Sequence, residues 1–222
     1  MAADIRAAKR WELAFYRFVR FLVHVVARVF GRIEVHGAER IPDGPFVLAP
    51  VHRSNIDFTL VSLVTKRWMR YMGKASIWKW KLPGKLISAL GAFPVHRGTA
   101  DREALRTCVE VIKMGQPLVM FPEGTRQSGP VVQELFDGCA YVAGKTGVPI
   151  VPVGIGGSEA VMPKGSRFIR PSKLVLVVGE PIAPPVPGEG GRVSRRATKE
   201  LTDQLRVEIQ KLFDDAQARA ER

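Results

Sequence analysis

A histidine and an aspartate follow a run of apolar residues in the stretch APVHRSNIDFTL, residues 49–60. The apolar run predicts a strand covered on both faces, and the residues from Ile56 onward return to the spacing of a helix. A neutral imidazole is a good general base near neutral pH when a carboxylate on its other ring nitrogen fixes the tautomer. A turn between them would let His52 and Asp57 meet, which predicts a base and its orienting partner. On spacing alone, a plain helix cap remains the simpler interpretation of Asp57.

A second polar cluster ends the run PLVMFPEGTR, residues 117–126. Gly124 permits a tight turn, Thr125 and the backbone amides can donate hydrogen bonds, and Arg126 offers a bidentate fork for phosphate. Glu123 can hold that arginine or meet a substrate hydroxyl, with a structural salt bridge at a turn as the alternative. Ligands of a covered α/β sheet bind outside the carboxyl ends of its strands. The two clusters therefore share one edge if their strands are parallel neighbours.

Basic residues without acidic neighbours lie between these clusters. No Asp or Glu occurs from Phe58 to Ala100, whereas the same segment holds eight Lys or Arg. Since a solvated surface normally mixes both signs, the segment favours an anionic partner. Lys74 and Arg97 are therefore further candidates for binding phosphate, with a solvated basic face as the alternative. The net charge of +13 leaves nucleic acid, an anionic membrane surface and phosphorylated substrates open as partners.

Several common catalytic motifs are absent from the sequence. It contains no GxSxG elbow, no GxxxxGK[ST] phosphate loop, no GxGxxG fingerprint and no Cys or His ligand set for zinc. The remaining features are a base with its orienting carboxylate, an anion site and an apolar, membrane-facing route for the substrate. This combination favours chemistry on a phosphorylated lipid by direct attack of a hydroxyl, without a covalent enzyme intermediate or a metal.

Alternating strand and helix patterns predict an α/β fold, a single domain with a largely parallel central sheet covered by helices. Strands are predicted at RIEVHG, GPFVLAPV, Tyr71-Met72, residues 92–95, PLVMF, VPIVPVGI and KLVLVVGEPI. Helices are predicted over residues 101–114, which Asp101 could cap, and over residues 131–146. The pattern divides the chain into an N-terminal helix at 1–30, an α/β domain at 31–190 and, opened by Ser194, a C-terminal helix within 191–222 that is expected to pack on the domain.

Residues 10–30 predict a helix with an unusually wide apolar face. Its polar stripe consists of Arg17, Arg20, His24 and Arg28, and nearly all other residues are aromatic or aliphatic. Such a helix can lie in a membrane interface with its arginines at the lipid headgroups, while a helix packed on its own domain is the alternative. No run of eighteen uncharged apolar residues and no cleavable signal peptide is evident, so a spanning helix is not expected.

The aromatic and cysteine residues refine these expectations. Trp68, Tyr71, Trp78 and Trp80 lie among lysines and are interpreted as membrane-interface residues. A nucleic-acid surface is the weaker interpretation of the same pattern. The two cysteines, Cys108 and Cys139, lie in apolar helical patterns and are expected to be buried free thiols.

The segments HRSNID, GAFPVHRG, FPEGTR and VPIVPVGI occur in this order and resemble the four motif blocks of the glycerolipid acyltransferases. The most similar group is the 1-acylglycerol-3-phosphate (lysophosphatidate) acyltransferase family, over roughly residues 30–182. The resemblance implies a reaction in which a fatty acyl chain moves from acyl-CoA or acyl-carrier protein to the free hydroxyl of lysophosphatidate, giving phosphatidate. It implies no cofactor and no metal, and a peripheral or monotopic location on the cytoplasmic face of the cell membrane.

The resemblance also implies a role for each matched residue. His52 would be the general base on the acceptor hydroxyl, and Asp57 its orienting partner. Arg97 would hold the acceptor phosphate, with Lys74 as a less secure candidate. The third block would bind the glycerol phosphate and the fourth would lie on the acyl-donor side; the residues concerned are Glu123, Gly124, Thr125 and Arg126, then Pro149 and Pro152.

Three residues depart from the family's pattern: Val51 in place of Asn, His96 in place of an acidic residue, and Gln127 in place of Ser. None removes a reacting group, but all three bear on the choice of acceptor. Glycerol-3-phosphate, another lysophospholipid or a glycolipid therefore remains open as acceptor. A hydrolase of lysolipids and a non-catalytic basic module that binds membrane or nucleic acid are the alternatives from other classes.

Overall fold

The computed structural model of this chain describes residues 6–95, 102–163, 168–186 and 193–222. Its centre is a single seven-stranded sheet, which the predicted strand segments form. The strands are β1 (Glu34–His36), β2 (Val47–Pro50), β3 (Arg70–Lys74), β4 (Ala92–Val95), β5 (Leu118–Val119), β6 (Ile150–Gly156) and β7 (Val175–Val178).

The strands lie in the order β1-β7-β6-β2-β5-β3-β4. The run from β6 to β4 is parallel throughout. The pair β6 and β7 is antiparallel, and β1 runs parallel to β7. The predicted α/β fold with a largely parallel sheet is therefore confirmed.

Helices cover this sheet. They are α1 (Arg10–Gly31), α2 (Asp57–Leu60), α3 (Lys81–Ala89), α4 (Arg102–Lys113), α5 (Gly138–Thr146), α6 (Ser158–Val161) and α7 (Arg195–Ala220). Short 3-10 turns occupy Ala38–Arg40, Val61–Leu63 and Ala75–Lys79. All residues of β2 and β6 are buried, as their uninterrupted apolar sequences predict for strands covered on both faces.

The C-terminal helix α7 packs directly on β6 and β7. Its first turn is capped by Ser194, whose Oγ accepts the Ala197 N–H at 3.1 Å. A Cβ added at Gly154 would lie 2.2 Å from the carbonyl oxygen of Leu212, and one at Gly156 would lie 2.1 Å from that of Ala216. The glycines of β6 therefore let the backbone of α7 approach the sheet.

The helix predicted over residues 131–146 is wrong in its first half. α5 begins only at Gly138, because the preceding backbone makes other contacts. The N–H of Val132 donates to Oε1 of Gln210 at 2.7 Å, and that of Phe136 donates to the carbonyl of Pro122 at 2.9 Å. The helix predicted over residues 101–114 is found at Arg102–Lys113, and Asp101 lies outside the described residues.

The N-terminal helix α1 is docked by polar contacts on one side. Tyr16 donates its hydroxyl to the carbonyl of Arg67 at 3.1 Å. The Nε of Arg20 donates to the carbonyls of Ser62 and Thr65 at 2.9 and 3.0 Å. Arg20 therefore faces the domain, and the expectation that all the arginines of the stripe lie at the outer surface is wrong for this residue.

The other side of α1 exposes a large apolar surface. The exposed apolar side chains are Trp11, Phe18, Phe21, Leu22, Val25, Val26, Val29 and Phe30. Within the part of the chain that the structure describes, no helix combines the length and apolarity that crossing a membrane requires.

Both cysteines are buried thiols that form no disulfide, as predicted. Burial raises the pKa of the Cys139 thiol to about 12, because the thiolate would be poorly solvated there.

Candidate active site

The two polar clusters that follow β2 and β5 meet at one edge of the sheet. These strands are parallel neighbours, with Leu48 paired to Val119. Immediately beyond them, the backbone N–H of His52 donates to Oε2 of Glu123 at 3.1 Å. The carbonyl of His52 in turn accepts the N–H of Gln127 at 2.9 Å. The backbone N–H and carbonyl of His52 thus join the two segments that follow these strands.

His52 and Asp57 are hydrogen-bonded through Nδ1 and Oδ2 at 2.9 Å. Because a carboxylate only accepts, neutral His52 donates the Nδ1 proton and keeps its lone pair on Nε2. The imidazole stacks on the ring of Phe121 with centroids 4.0 Å apart. Its side chain is 12% exposed, so it is held in place yet open to a ligand.

Asp57 orients more than the imidazole. Its Oδ2 also accepts the backbone N–H groups of Arg53 and Ser54, both at 2.6 Å. These amides lie before α2, whereas a capping carboxylate accepts N–H groups of its own first turn. The helix-cap interpretation of Asp57 is therefore not what the geometry shows. The other oxygen, Oδ1, is buried without a hydrogen-bond partner among the described residues.

Glu123 lies beneath this pair and holds Arg53 rather than Arg126. Nη1 of Arg53 donates to both carboxylate oxygens of Glu123, at 3.0 and 2.8 Å, and both side chains are buried. The N–H of Gln133 donates to the same carboxylate at 3.1 Å. Both oxygens of Glu123 are thus occupied by the protein, which gives this residue a positioning geometry.

Arg53 is the residue that sequence reasoning missed. It also donates to the carbonyls of Gly129 and Val131, at 3.1 and 3.0 Å, and its guanidinium lies 4.9 Å from the ring centroid of Phe213 on α7. The hydrogen bond from Arg53 to the carbonyl of Val131 is one reason why the segment before α5 is not helical. The signal available in the sequence was its position directly after His52.

Gly124, Thr125 and Arg126 form the turn that follows. Gly124 has φ +68°, and a Cβ there would lie 2.7 Å from the ring of Phe136, so both backbone and space favour glycine. Thr125 is exposed, and its Oγ1 accepts from Nε2 of Gln127 at 3.1 Å. Arg126 is half-buried, and its Nη1 is buried without a hydrogen-bond partner among the described residues. An unsatisfied guanidinium nitrogen is the donor that an anion would complete.

The remaining predicted residues lie in different places. Lys74 is exposed at the end of β3, on the same edge as His52. Arg97 follows β4 in sequence and lies outside the described residues. Pro149 precedes β6, at the opposite edge, where its carbonyl accepts the N–H of Val47 at 3.0 Å. Pro152 is buried within β6 beside Ala49, so neither proline is brought to His52.

Among the described residues, no group of three or more His, Cys, Asp or Glu side chains is arranged to hold a metal ion. The chemistry that the site's own groups offer is proton transfer at Nε2 of His52 next to an anion-binding turn.

Known proteins share this sequence pattern and fold. A 1-acyl-sn-glycerol-3-phosphate acyltransferase of Bacillus subtilis is 28% identical, over 75% of this chain and 82% of that protein. A chloroplastic protein of the same name from Brassica napus is 29% identical over 77% of this chain; the chain spans about half, 53%, of its length. The crystal structure of the 1-acyl-sn-glycerophosphate acyltransferase of Thermotoga maritima superimposes with a TM-score of 0.70 and 27% identity, covering 90% of this chain and 79% of that chain. Residues 32–156, more than half of the sequence, match the family described as Acyltransferase, and the chain belongs to that family.

Proposed function

We propose that this protein is a membrane-associated 1-acylglycerol-3-phosphate O-acyltransferase. It moves a fatty acyl chain from a thioester, acyl-CoA or acyl-carrier protein, to the free hydroxyl of lysophosphatidate and so forms phosphatidate for phospholipid synthesis. The observation that carries the proposal is the His52–Asp57 pair, oriented at the end of β2 beside the turn that carries Arg126.

His52 acts as the general base. Nε2 accepts the proton of the acceptor hydroxyl while the hydroxyl oxygen attacks the thioester carbonyl carbon. The tetrahedral intermediate then expels the thiolate, which takes the proton back from the imidazolium. Asp57 stabilises the imidazolium through its 2.9 Å hydrogen bond. The proton and the acyl group are both accounted for, and no covalent enzyme intermediate is needed.

The acceptor phosphate is bound by Arg126. Its Nη1 is buried with no hydrogen-bond partner among the described residues, so a phosphate oxygen would satisfy it. Thr125 is exposed next to it, and Lys74 adds positive charge from the end of β3 on the same edge. We assign Arg97 to the same role on sequence grounds. Glu123 contributes to this region by shaping it, since its oxygens are already occupied.

An apolar cavity supports the acyl part of the proposal. It has a volume of about 270 Å³ and lies between α1 and α2, with Val23 and Ala27 on one wall and Ile56 and Leu60 on the other. Ile56, which lines the cavity, directly precedes Asp57 in the sequence. A cavity lined in this way suits a hydrocarbon chain.

The apolar surface of α1 supports membrane association. Eight large apolar side chains of this helix are exposed, which is costly in water and favourable at a lipid interface. We propose a peripheral or monotopic location on the cytoplasmic face of the membrane, where anionic lipids complement the net charge of +13. Pro149 and Pro152 stay assigned to the acyl-donor side by the resemblance alone, and we expect no cofactor or metal requirement.

The test is an assay of the purified protein in detergent with oleoyl-CoA and lysophosphatidate, following free thiol and lipid product together. Formation of both is expected, with a loss of about 10²- to 10⁴-fold in His52→Ala. His36→Ala is the matched control, because His36 lies on the edge strand β1 and contacts Glu34. Thiol release with only another lysolipid would replace the acceptor. Equal rates in His52→Ala and the parent would refute the mechanism.

A further inference from the structure

We propose that the segment Ile77–Leu86 is a second lipid-binding surface, next to α1, which docks the reactive edge of the sheet on an anionic bilayer. This inference rests on the membrane association included in the proposed function. It concerns a different element, and its test does not depend on catalysis.

The segment exposes apolar side chains that a soluble surface rarely places together. Trp80 is 72% exposed and Leu82 is 68% exposed, and Ile77 and Leu86 are also exposed. Leu82 and Leu86 lie one turn apart in α3 and so share a face. A contiguous exposed patch of this kind marks an interaction site.

This exposure belongs to a firmly packed element. Trp78 donates from Nε1 to Oγ of Ser88 at 2.9 Å, which ties the 3-10 turn Ala75–Lys79 to α3. A Cβ added at Gly73 would lie 2.7 Å from the ring of Trp78, and one at Gly84 would lie 3.2 Å from its Cα. Trp78 thus packs between Gly73 and Gly84, whereas the side chain of Trp80 points to the exterior.

The charge around the patch selects the partner. Lys79, Lys81 and Lys85 are exposed between the apolar side chains, and no Asp or Glu occurs from Phe58 to Ala100. Aromatic and aliphatic side chains among lysines are the composition of a helix that lies in the headgroup region of an anionic membrane. An acidic protein surface would pair with the lysines but would not account for the exposure of the apolar side chains of Trp80 and Leu82.

The patch is continuous with α1 and with the reactive edge. α3 packs on α1, and Nζ of Lys85 lies 6.0 Å from the ring centroid of Trp11. The 3-10 turn follows Lys74, the last residue of β3, which lies on the same edge as the segment after β2. Two apolar surfaces therefore flank the site, and a bilayer that contacts both would present lipid to His52.

Binding to vesicles tests the proposal. The full chain is sedimented with phosphatidylcholine vesicles that do or do not contain phosphatidylglycerol. Trp80→Ser/Leu82→Ser is expected to lower binding to both by about tenfold or more, since the two side chains would no longer bury apolar surface in the lipid. Val186→Ser/Val207→Ser is the control, because both valines are exposed apart from α3.

A second set of variants separates charge from apolar contact. Lys79→Gln/Lys81→Gln/Lys85→Gln is expected to weaken binding only to vesicles with phosphatidylglycerol, by roughly fivefold per lysine. Lys145→Gln/Lys199→Gln/Lys211→Gln makes the same change in net charge on α5 and α7 and is expected to have little effect. Thermal unfolding verifies that each variant is folded.

Unchanged vesicle binding in the α3 variants would overturn the proposal, and so would an equal loss in the two lysine triples. Retained vesicle binding with lost binding of an acidic acyl-carrier protein would assign the surface to that partner instead. Lost vesicle binding in a protein that transfers no acyl group to any acceptor would keep this inference and overturn the proposed reaction.

Discussion

Arg53 and Glu123 form a buried ion pair that joins the segment after β2 to the segment after β5. The guanidinium reaches the carboxylate at 2.8 Å across 70 positions of sequence. The same carboxylate accepts the N–H of His52, so the ion pair also holds the backbone of His52. Neither side chain is free to contact a substrate. Their effect on a reaction at this site would be to fix the backbone position of His52.

Removing this ion pair should affect the free energy of unfolding and kcat to different extents. Arg53→Met or Glu123→Leu alone leaves a buried charge uncompensated, and each should lower the free energy of unfolding by about 3–5 kcal/mol. The double variant should recover much of that loss, because no charge then remains buried. Its kcat should stay low, because the N–H of His52 has lost its acceptor. Urea unfolding and steady-state rates measure the two effects; full recovery of kcat with stability would show that the pair does not position the base.

Asp57→Asn should lower kcat by about 10²- to 10⁴-fold. The amide oxygen can still accept the N–H groups of Arg53 and Ser54, but the charge that stabilises the imidazolium is gone. KM for both substrates should change little. Asp137→Asn is a suitable control, since Asp137 accepts the Thr202 hydroxyl at 2.8 Å, an acceptor role that asparagine preserves. A normal kcat in Asp57→Asn would limit Asp57 to a structural role.

Arg126→Gln should raise KM for lysophosphatidate by about 10- to 100-fold, the value of a hydrogen bond to a charged group. KM for the acyl donor should be unchanged, because the buried Nη1 is assigned to the acceptor phosphate. Arg196→Gln removes an exposed arginine of α7 and serves as the control. An equal rise in KM for both substrates would contradict a specific phosphate contact.

Glu12 should make the N-terminal end of α1 sensitive to acid. Hydrogen bonds from Arg6, foremost, and from the N–H of Lys9 hold the pKa of Glu12 below its ordinary value, against the effect of burial. A carboxyl whose pKa is lowered on folding stabilises the fold above its unfolded pKa, and this contribution is lost as the pH falls through the folded pKa. Stability should therefore decline as the pH falls below about 4.3.

Glu12→Gln tests this expectation. The variant should be less stable than the parent at neutral pH. The difference should shrink as the pH falls from about 4.3, the ordinary pKa of the carboxyl in the unfolded chain, through the lowered pKa of folded Glu12. Thermal unfolding over a pH series gives the comparison. A constant difference at every pH would show that the ionised carboxylate does not stabilise the N-terminal end of α1.

The sequence predicted features whose cause is local. The apolar runs of β2 and β6 lie in the sheet, and the His52–Asp57 contact spans five positions. Contacts between distant segments were not predictable in the same way. Val132 follows a helical spacing of apolar residues, yet its N–H is held by Gln210, 78 positions away. The Arg53–Glu123 pair has the same character.

Spacing also failed to separate residues of one type. Trp78 and Trp80 stand two apart among lysines, and both were interpreted as interface residues. Only the packing against Gly73 and Gly84 makes one of them internal and the other external. Glu123 was matched with Arg126 because a sequence indicates ion pairs only between residues that are close along the chain. In the structure its partner is Arg53.

The parallel order of the central strands has a consequence for how this protein is made. The backbone of His52 bonds Glu123 and Gln127, which follow β5, and β2, the strand before His52, is paired with β6. During synthesis, β2 leaves the ribosome long before these partners exist, and closing such distant contacts is slow. α1 precedes β2 and is made while its docking carbonyls at Ser62 and Arg67 are still to come. The nascent chain thus displays its apolar helix well before the residues that hold His52 have been synthesised.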